Sequence, residues 1–307
     1  MRLFVSMISR KFDIEKLRNE ISSGSFLSLA RALTLVENNI EPAGELLKSL
    51  IIKSETPVIG ITGPPGAGKS TLVNAILAEF TKQNKSVAVL AVDPTSPFNF
   101  GSLLGDRIRM TKHFNNSNVF IRSVATRGSL GGMSAKTIEM VDVLRSANFD
   151  LIIIETVGVG QSEIEVAGLA DKTILVLVPE AGDEIQHIKS GLMEVAQAFV
   201  VNKADRDGAD AYAGKLKKML NEQHQEIPVF KTIADKDLGI AELCDWIDNA
   251  AATKTAIDKN FLLAEHAYQL IMTKRMLNID KDKLLSEISR ERREGEFNLY
   301  GFIEKWV

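Results

Sequence analysis

The chain has 307 residues, 45% of them hydrophobic, enough for one substantial buried core with terminal additions. Its net charge of −3 comes from interspersed charges, leaving no chain-wide basic footprint for nucleic acid or an anionic membrane surface. A single cysteine, Cys244, excludes an internal disulfide and points to a reduced, cytoplasmic setting, and apolar runs such as residues 174–178 fall far short of the ~20 residues a membrane-crossing helix needs.

Residues 1–12 carry Arg2, Arg10 and Lys11 around a short apolar stretch with no small-residue cleavage site, and read as an ordinary N-terminus. Over residues 14–50 apolar side chains such as Leu29, Leu33 and Val36 recur at helical spacing, broken at Gly24 and Pro42. This predicts a helical N-terminal extension over residues 1–55. From Pro57 the pattern changes to short β-branched or apolar runs at 58–62, 87–92, 119–123, 151–154, 173–178, 198–201 and 229–232, separated by helical stretches. Such alternation is the signature of a mostly parallel sheet flanked by crossover helices, and it predicts an α/β domain over residues 56–252. Cys244 lies in an apolar stretch before Trp246 and reads as a buried structural thiol. After Gly239 the pattern is helical again, and residues 253–307 read as a charged, amphipathic helical arm.

Gly63, Pro64, Pro65, Gly66, Ala67, Gly68, Lys69 and Ser70 form a Walker A pattern, placed after an apolar strand and before a helical stretch that starts near Thr71. Glycines let such a loop curl so that backbone N–H groups point at phosphate oxygens, and the helix N-terminus behind it favours negative charge. Lys69 brings a point charge to the β and γ phosphates, and the Ser70 hydroxyl suits magnesium, which keeps several waters and takes few protein ligands. The fold expected is therefore that of a P-loop NTPase.

The apolar run 151–154 delivers Glu155 at the carboxyl end of a strand, where α/β folds bind ligands, with Gly158 placed to offer its N–H to a γ phosphate. Asp93, after the run 87–92, and Asp106 add two carboxylates for metal or attacking water; each also reads as a turn or N-cap carboxylate. Among Glu155, Asp93 and Asp106 the water-orienting role stays open.

The run 198–201 ends in Asn202-Lys203-Ala204-Asp205, an N-K-x-D motif downstream of a Walker A. The Asp205 carboxylate can accept from both N1–H and the exocyclic amine of guanine, whereas adenine offers neither donor and would leave a desolvated carboxylate unpaired. Asn202 would tie the loops together and the Lys203 stem would cover a base face. The nucleotide expected is GTP, with magnesium.

Longer blocks resemble the methylmalonyl-CoA mutase-associated GTPases, the MeaB and ArgK group. They are Val92-Asp-Pro-Thr-Ser-Pro-Phe98, Gly105-Asp-Arg-Ile-Arg-Met110, Ala125-Thr-Arg-Gly-Ser-Leu-Gly-Gly132, Glu155-Thr-Val-Gly-Val-Gly-Gln-Ser-Glu163, Ala181-Gly-Asp-Glu184 and Val201-Asn-Lys-Ala-Asp-Arg-Asp-Gly208. The resemblance implies a homodimeric GTPase, dimerised through the C-terminal arm, that accompanies an adenosylcobalamin-dependent acyl-CoA mutase, gates cofactor loading and protects the mutase. It also implies switch loops at 93–106, 155–163 and 180–189. An older label for the group, a transport-linked ATPase, conflicts with the guanine motif.

The chain departs from this group at Phe100-Gly101, where a glycine pair is usual, and at Glu180 and His187, where glycines are common. The guanine-contacting Ser-Ala reads Ile233-Ala234, followed by Asp235, so a hydroxyl is lost while the Ala234 N–H can still reach guanine O6. Weaker nucleotide binding with unchanged base choice is the expectation. A metallochaperone GTPase for nickel enzymes shares the fold but needs clustered soft or imidazole ligands. Here His113, His187, His224, His266 and Cys244 are scattered. A nucleotide-gated adaptor, whose turnover serves only as a timer, is the second alternative.

Overall fold

The computed structural model describes residues 13–93, 111–113, 115–125, 135–156, 166–180, 196–222, 226–252, 259–276, 279–295 and 297–306. The chain divides into two compact units, Met1–Ala256 and Ile257–Val307.

The first unit is built on a seven-stranded sheet in the order β3-β2-β4-β1-β5-β6-β7, with every pairing parallel. The strands are β1 (Val58–Thr62), β2 (Val87–Asp93), β3 (Val119–Ala125), β4 (Leu151–Thr156), β5 (Lys172–Leu177), β6 (Ala198–Val201) and β7 (Val229–Lys231). All seven runs read from the sequence are strands. The ends differ by up to two residues, and the extra length matters at β4, where Glu155 and Thr156 belong to the strand itself. Pairing with both neighbours carries β4 that far: Glu155 is in register with Ile61 of β1 and with Ala91 of β2. Every residue of β1 and β4 is buried, as expected for central parallel strands covered on both faces.

On one face lie α1 (Ile14–Ser22), α2 (Phe26–Glu37), α3 (Ala43–Ser49) and α5 (Ala135–Arg145). Asp13 and Ser25 cap the first two helices by accepting from Lys16 N at 3.0 Å and Ser28 N at 3.3 Å. Gly24, with φ +90°, makes the turn between them. Leu17, Ile21, Leu29, Leu33, Val36 and Leu46 join Leu90, Ile152 and Ile154 of the sheet in one apolar cluster, so the N-terminal helices share the core of the sheet. A Glu37–Arg122 ion pair at 2.5 Å, mostly buried, ties the end of α2 to β3.

The opposite face is covered by α4 (Lys69–Lys82) and α7 (Ile240–Ala252), which bury Leu72, Ile76, Phe80, Leu243 and Ile247 against Ile59, Ile61 and Val89. Cys244 is buried in this layer and burial pushes its thiol up to about 12, in agreement with a structural role. Helix α6 (Ala209–Glu222) packs Tyr212, Leu216 and Leu220 against β5 and β6.

The second unit contains α8 (Lys259–Met276), α9 (Lys281–Glu294) and α10 (Leu299–Ile303). Asp280 caps α9 by accepting from Asp282 N at 2.8 Å, and Phe302 is buried between Phe297 and Trp306. Leu263, Tyr268, Ile271, Met272 and Met276 of α8 are exposed. Among the described residues no helix is long and apolar enough to cross a membrane.

Candidate functional site

The chain leaves β1 towards β2 on one side of the sheet and leaves β5, the neighbour of β1, towards β6 on the other side. Strand order therefore reverses between β1 and β5, and the crevice beyond their carboxyl ends is where such sheets take ligands. The Walker A loop and the N-K-x-D loop both open there.

The loop geometry explains its glycines. Gly63 has φ +142° and lies against β5 so closely that a Cβ there would be 2.1 Å from the Val176 carbonyl oxygen. Gly68, at φ +85°, is the N-cap of α4, and a Cβ would sit 2.5 Å from Asn202 Nδ2. Gly68 has no side chain to cap α4, in contrast to Asp13 and Ser25 at α1 and α2, and the N-terminus of this helix opens on the crevice, where it favours negative charge. Lys69 is buried and its Nζ donates to the Gly63 and Pro64 carbonyls at 2.7 and 2.9 Å, bridging the loop on itself.

Behind the loop, Ser70 Oγ donates to Glu155 Oε1 at 2.6 Å. Glu155 is only 5% exposed, and the adjacent Thr156 hydroxyl donates to the Thr62 hydroxyl at 3.0 Å. A hydroxyl and a buried carboxylate are hard oxygen donors of the kind magnesium selects. The backbone of Asp93 ends β2 beside β4, Val92 being in register with Thr156. The side chain of Asp93 and all of Asp106 and Gly158 lie outside the described residues, as do residues 94–110, 157–165 and 181–195, which hold most of the expected switch loops, with Phe100 and His187.

Asn202 ties three segments together. Its Nδ2 donates to the Ala67 carbonyl at 2.9 Å, while its Oδ1 accepts from Thr232 Oγ1 at 3.0 Å and from Ala234 N at 3.3 Å. Lys203, in a left-handed conformation at φ +55°, stretches its stem across the loop to donate to the Gly66 carbonyl at 2.7 Å. Gly68, Thr71, Asn202, Lys203, Asp205, Arg206, Ala234 and Asp235 line a cleft of about 290 Å³, into which the sequence-derived base contacts converge. Ile233, also a candidate nucleotide contact, is not among the residues lining this cleft and forms an antiparallel bridge with Leu238.

Three contacts had no sequence signal. Lys236 Nζ donates to Asp205 Oδ2 at 2.9 Å, holding the Asp205 carboxyl below its usual range and raising the lysine in turn. Arg206 pairs with Glu180, three residues beyond the end of β5 and immediately before the 181–195 segment. Thr232 reaches Asn202 across 30 residues, a pairing that only the β6–β7 register creates. Among the described residues no three His, Cys, Asp or Glu side chains group as a metal site.

A Walker A loop at the switch point of a parallel sheet, interlocked with an N-K-x-D loop that walls a base-sized cleft, defines a P-loop GTPase. The chain belongs to the methylmalonyl-CoA mutase-associated GTPase (MeaB) family, whose profile matches residues 29–291. A protein of Pyrococcus abyssi named as a GTPase is 46% identical over 242 residues, covering 76% of this chain and 75% of that protein. The GTPase ArgK of Escherichia coli is 41% identical, covering 66% of this chain and 62% of that protein. A Caenorhabditis elegans protein described as a mitochondrial methylmalonic aciduria type A homolog is 40% identical, covering 64% and 53%. Among solved structures, that of an LAO/AO transport system kinase aligns with a TM-score of 0.68 at 26% identity, covering 97% of each chain. HypB from Helicobacter pylori in complex with nickel, at 16% identity and a TM-score of 0.52 over 75% of this chain and 99% of that one, shares the fold.

Proposed function

We propose that this GTPase is a nucleotide-gated chaperone of an adenosylcobalamin-dependent acyl-CoA mutase, working in the cytoplasm with magnesium. The observation that carries the nucleotide half is the Asn202 interlock, which couples the phosphate loop at Ala67 to the base wall at Ala234. GTP phosphates would take the place of the Gly63 and Pro64 carbonyls on Lys69 and accept from the uncapped N-terminus of α4, with Thr71 beside the cleft. Guanine would present N1–H and its amine to Asp205, with Lys203 over one face and the Ala234 N–H towards O6 after exchange from Asn202.

The donor set of Ser70 and Glu155 fits magnesium, which keeps waters and needs few protein ligands. Asp93 and Asp106 would complete its surroundings, and Gly158 would meet the γ phosphate. The ion would neutralise charge on the β and γ oxygens. Lys69 would hold the transferring oxygens in place, and the buried Glu155 would keep Ser70 oriented.

The mutase half rests on the family and on the Arg206–Glu180 pair, which connects the base loop to the start of the segment after β5. That pair offers a route by which base occupancy reaches a partner-facing loop. Burial of the exposed apolar residues of α8 against a second copy would make the arm the dimerisation element proposed for residues 253–307. In a pull-down from the native cell, the proposal expects a cobalamin-dependent mutase to be retained in a nucleotide-dependent manner. Retention of a nickel enzyme in its place would favour the metallochaperone reading.

A further inference from the structure

The hydroxyls of Thr62 and Thr156 meet where the two central strands part. The ladder between β1 and β4 ends at the pair Ile61 and Glu155. Thr62 is still in register with Leu175 of β5, and Thr156 with Val92 of β2, so each strand end is held on its outer side. In the gap between them Thr156 Oγ1 donates to Thr62 Oγ1 at 3.0 Å, and both side chains are fully buried. Thr62 is followed by Gly63, whose carbonyl accepts from Lys69 Nζ at 2.7 Å. Thr156 is preceded by Glu155, whose Oε1 accepts from Ser70 Oγ at 2.6 Å. These three hydrogen bonds and three peptide links close a ring through Thr62, Gly63, Lys69, Ser70, Glu155 and Thr156 at the root of the phosphate loop.

We propose that Thr62 and Thr156 are positioning residues for magnesium: their bond sets the spacing of the β1 and β4 ends and, through it, the reach of Glu155 to Ser70. This rests on the reading that Ser70 and Glu155 serve the ion. In the nucleotide-bound state phosphate takes Lys69 from the Gly63 carbonyl, which opens one bond of the ring. The threonine pair is fully buried, out of reach of the nucleotide, and goes on holding the two ends together beyond the ladder. Its chemistry matters because two hydroxyls bond at about 3 Å, whereas two methyl groups rest about 3.5–4.0 Å apart. An apolar pair of the same shape fills the gap but spreads the strand ends by roughly 0.5–1 Å. Magnesium demands near-ideal octahedral geometry at about 2.0–2.1 Å and tolerates such a shift poorly.

The test is equilibrium titration of GDP against the full chain with excess magnesium and with EDTA, the ratio of the two affinities being the gain from the ion. The variant combines Thr62→Val with Thr156→Val. Losing both hydroxyls leaves no buried polar group unpaired, so urea unfolding of the nucleotide-free chain should stay near wild type. The positioning role predicts that the gain nevertheless falls about two- to ten-fold, the scale of one hydrogen bond, with GDP affinity in EDTA unchanged. Thr62→Ser with Thr156→Ser keeps both hydroxyls and is expected to retain the gain. Thr62→Val alone is expected to lower it too, and carries the test if the double valine variant does not fold. A wild-type gain in the valine variants, an equal fall of affinity in EDTA, or loss of the gain in the serine variant overturns the positioning role. Ser70→Ala separates the two readings. If it keeps the wild-type gain, the assignment of Ser70 to magnesium fails and the positioning role with it. If it loses the gain while the valine variants keep it, only the positioning role fails.

Discussion

Lys69 is a buried cation whose ammonium rests on two carbonyls of its own loop, so the charge needed at a phosphoryl group is held ready by contacts that a phosphate can replace. Removing it takes positive charge from the place where transferring oxygens gather negative charge. Lys69→Ala is expected to lower magnesium-dependent GTP hydrolysis by about 100-fold or more while circular dichroism shows the fold retained. Hydrolysis at the wild-type rate would place the activity elsewhere. The Walker A and N-K-x-D residues were legible because each motif has fixed residue types and spacing, and the structure brings the two loops together at one crevice. Lys236, Arg206 and Thr232 were not, since their partners Asp205, Glu180 and Asn202 are set by strand register and loop closure, which leave no local pattern.

At the scale of elements, every strand of the sheet was readable because central parallel strands are apolar on both faces, and β1 and β4 are buried throughout. Their ends were less clear, because Glu155 and Thr156 are polar residues kept in β4 by pairing on both sides. The N-terminal helices were legible as helices from Leu29, Leu33 and Val36, but their place in the main core was not, since amphipathic spacing does not name the surface it covers. Sharing that core has a measurable consequence. Leu33 is fully buried between α2 and the sheet cluster, and Leu33→Ala is expected to destabilise the protein by about 2–5 kcal/mol in urea unfolding, with one transition. A separate early transition for the N-terminal helices would show that they fold apart from the sheet.

At the scale of the whole molecule, the proposed function assigns nucleotide binding to the sheet unit and dimerisation to the C-terminal unit. The sheet unit holds the nucleotide crevice, and in the C-terminal unit Leu263, Tyr268, Ile271, Met272 and Met276 of α8 are exposed. The Glu180–Arg206 pair joins the base loop to the chain just beyond β5, and the proposed coupling of nucleotide occupancy to partner binding rests on it. Linkage is reciprocal: a mutase that prefers one nucleotide state must shift nucleotide affinity by the same factor. The most direct measurement is calorimetry of an adenosylcobalamin-dependent acyl-CoA mutase from the same organism against the GDP form and a form carrying a non-hydrolysable GTP analogue. The proposed function predicts affinities that differ by about 5- to 150-fold between the two states, the usual span of allosteric coupling. Equal affinities in both states, or no binding at all, would contradict it.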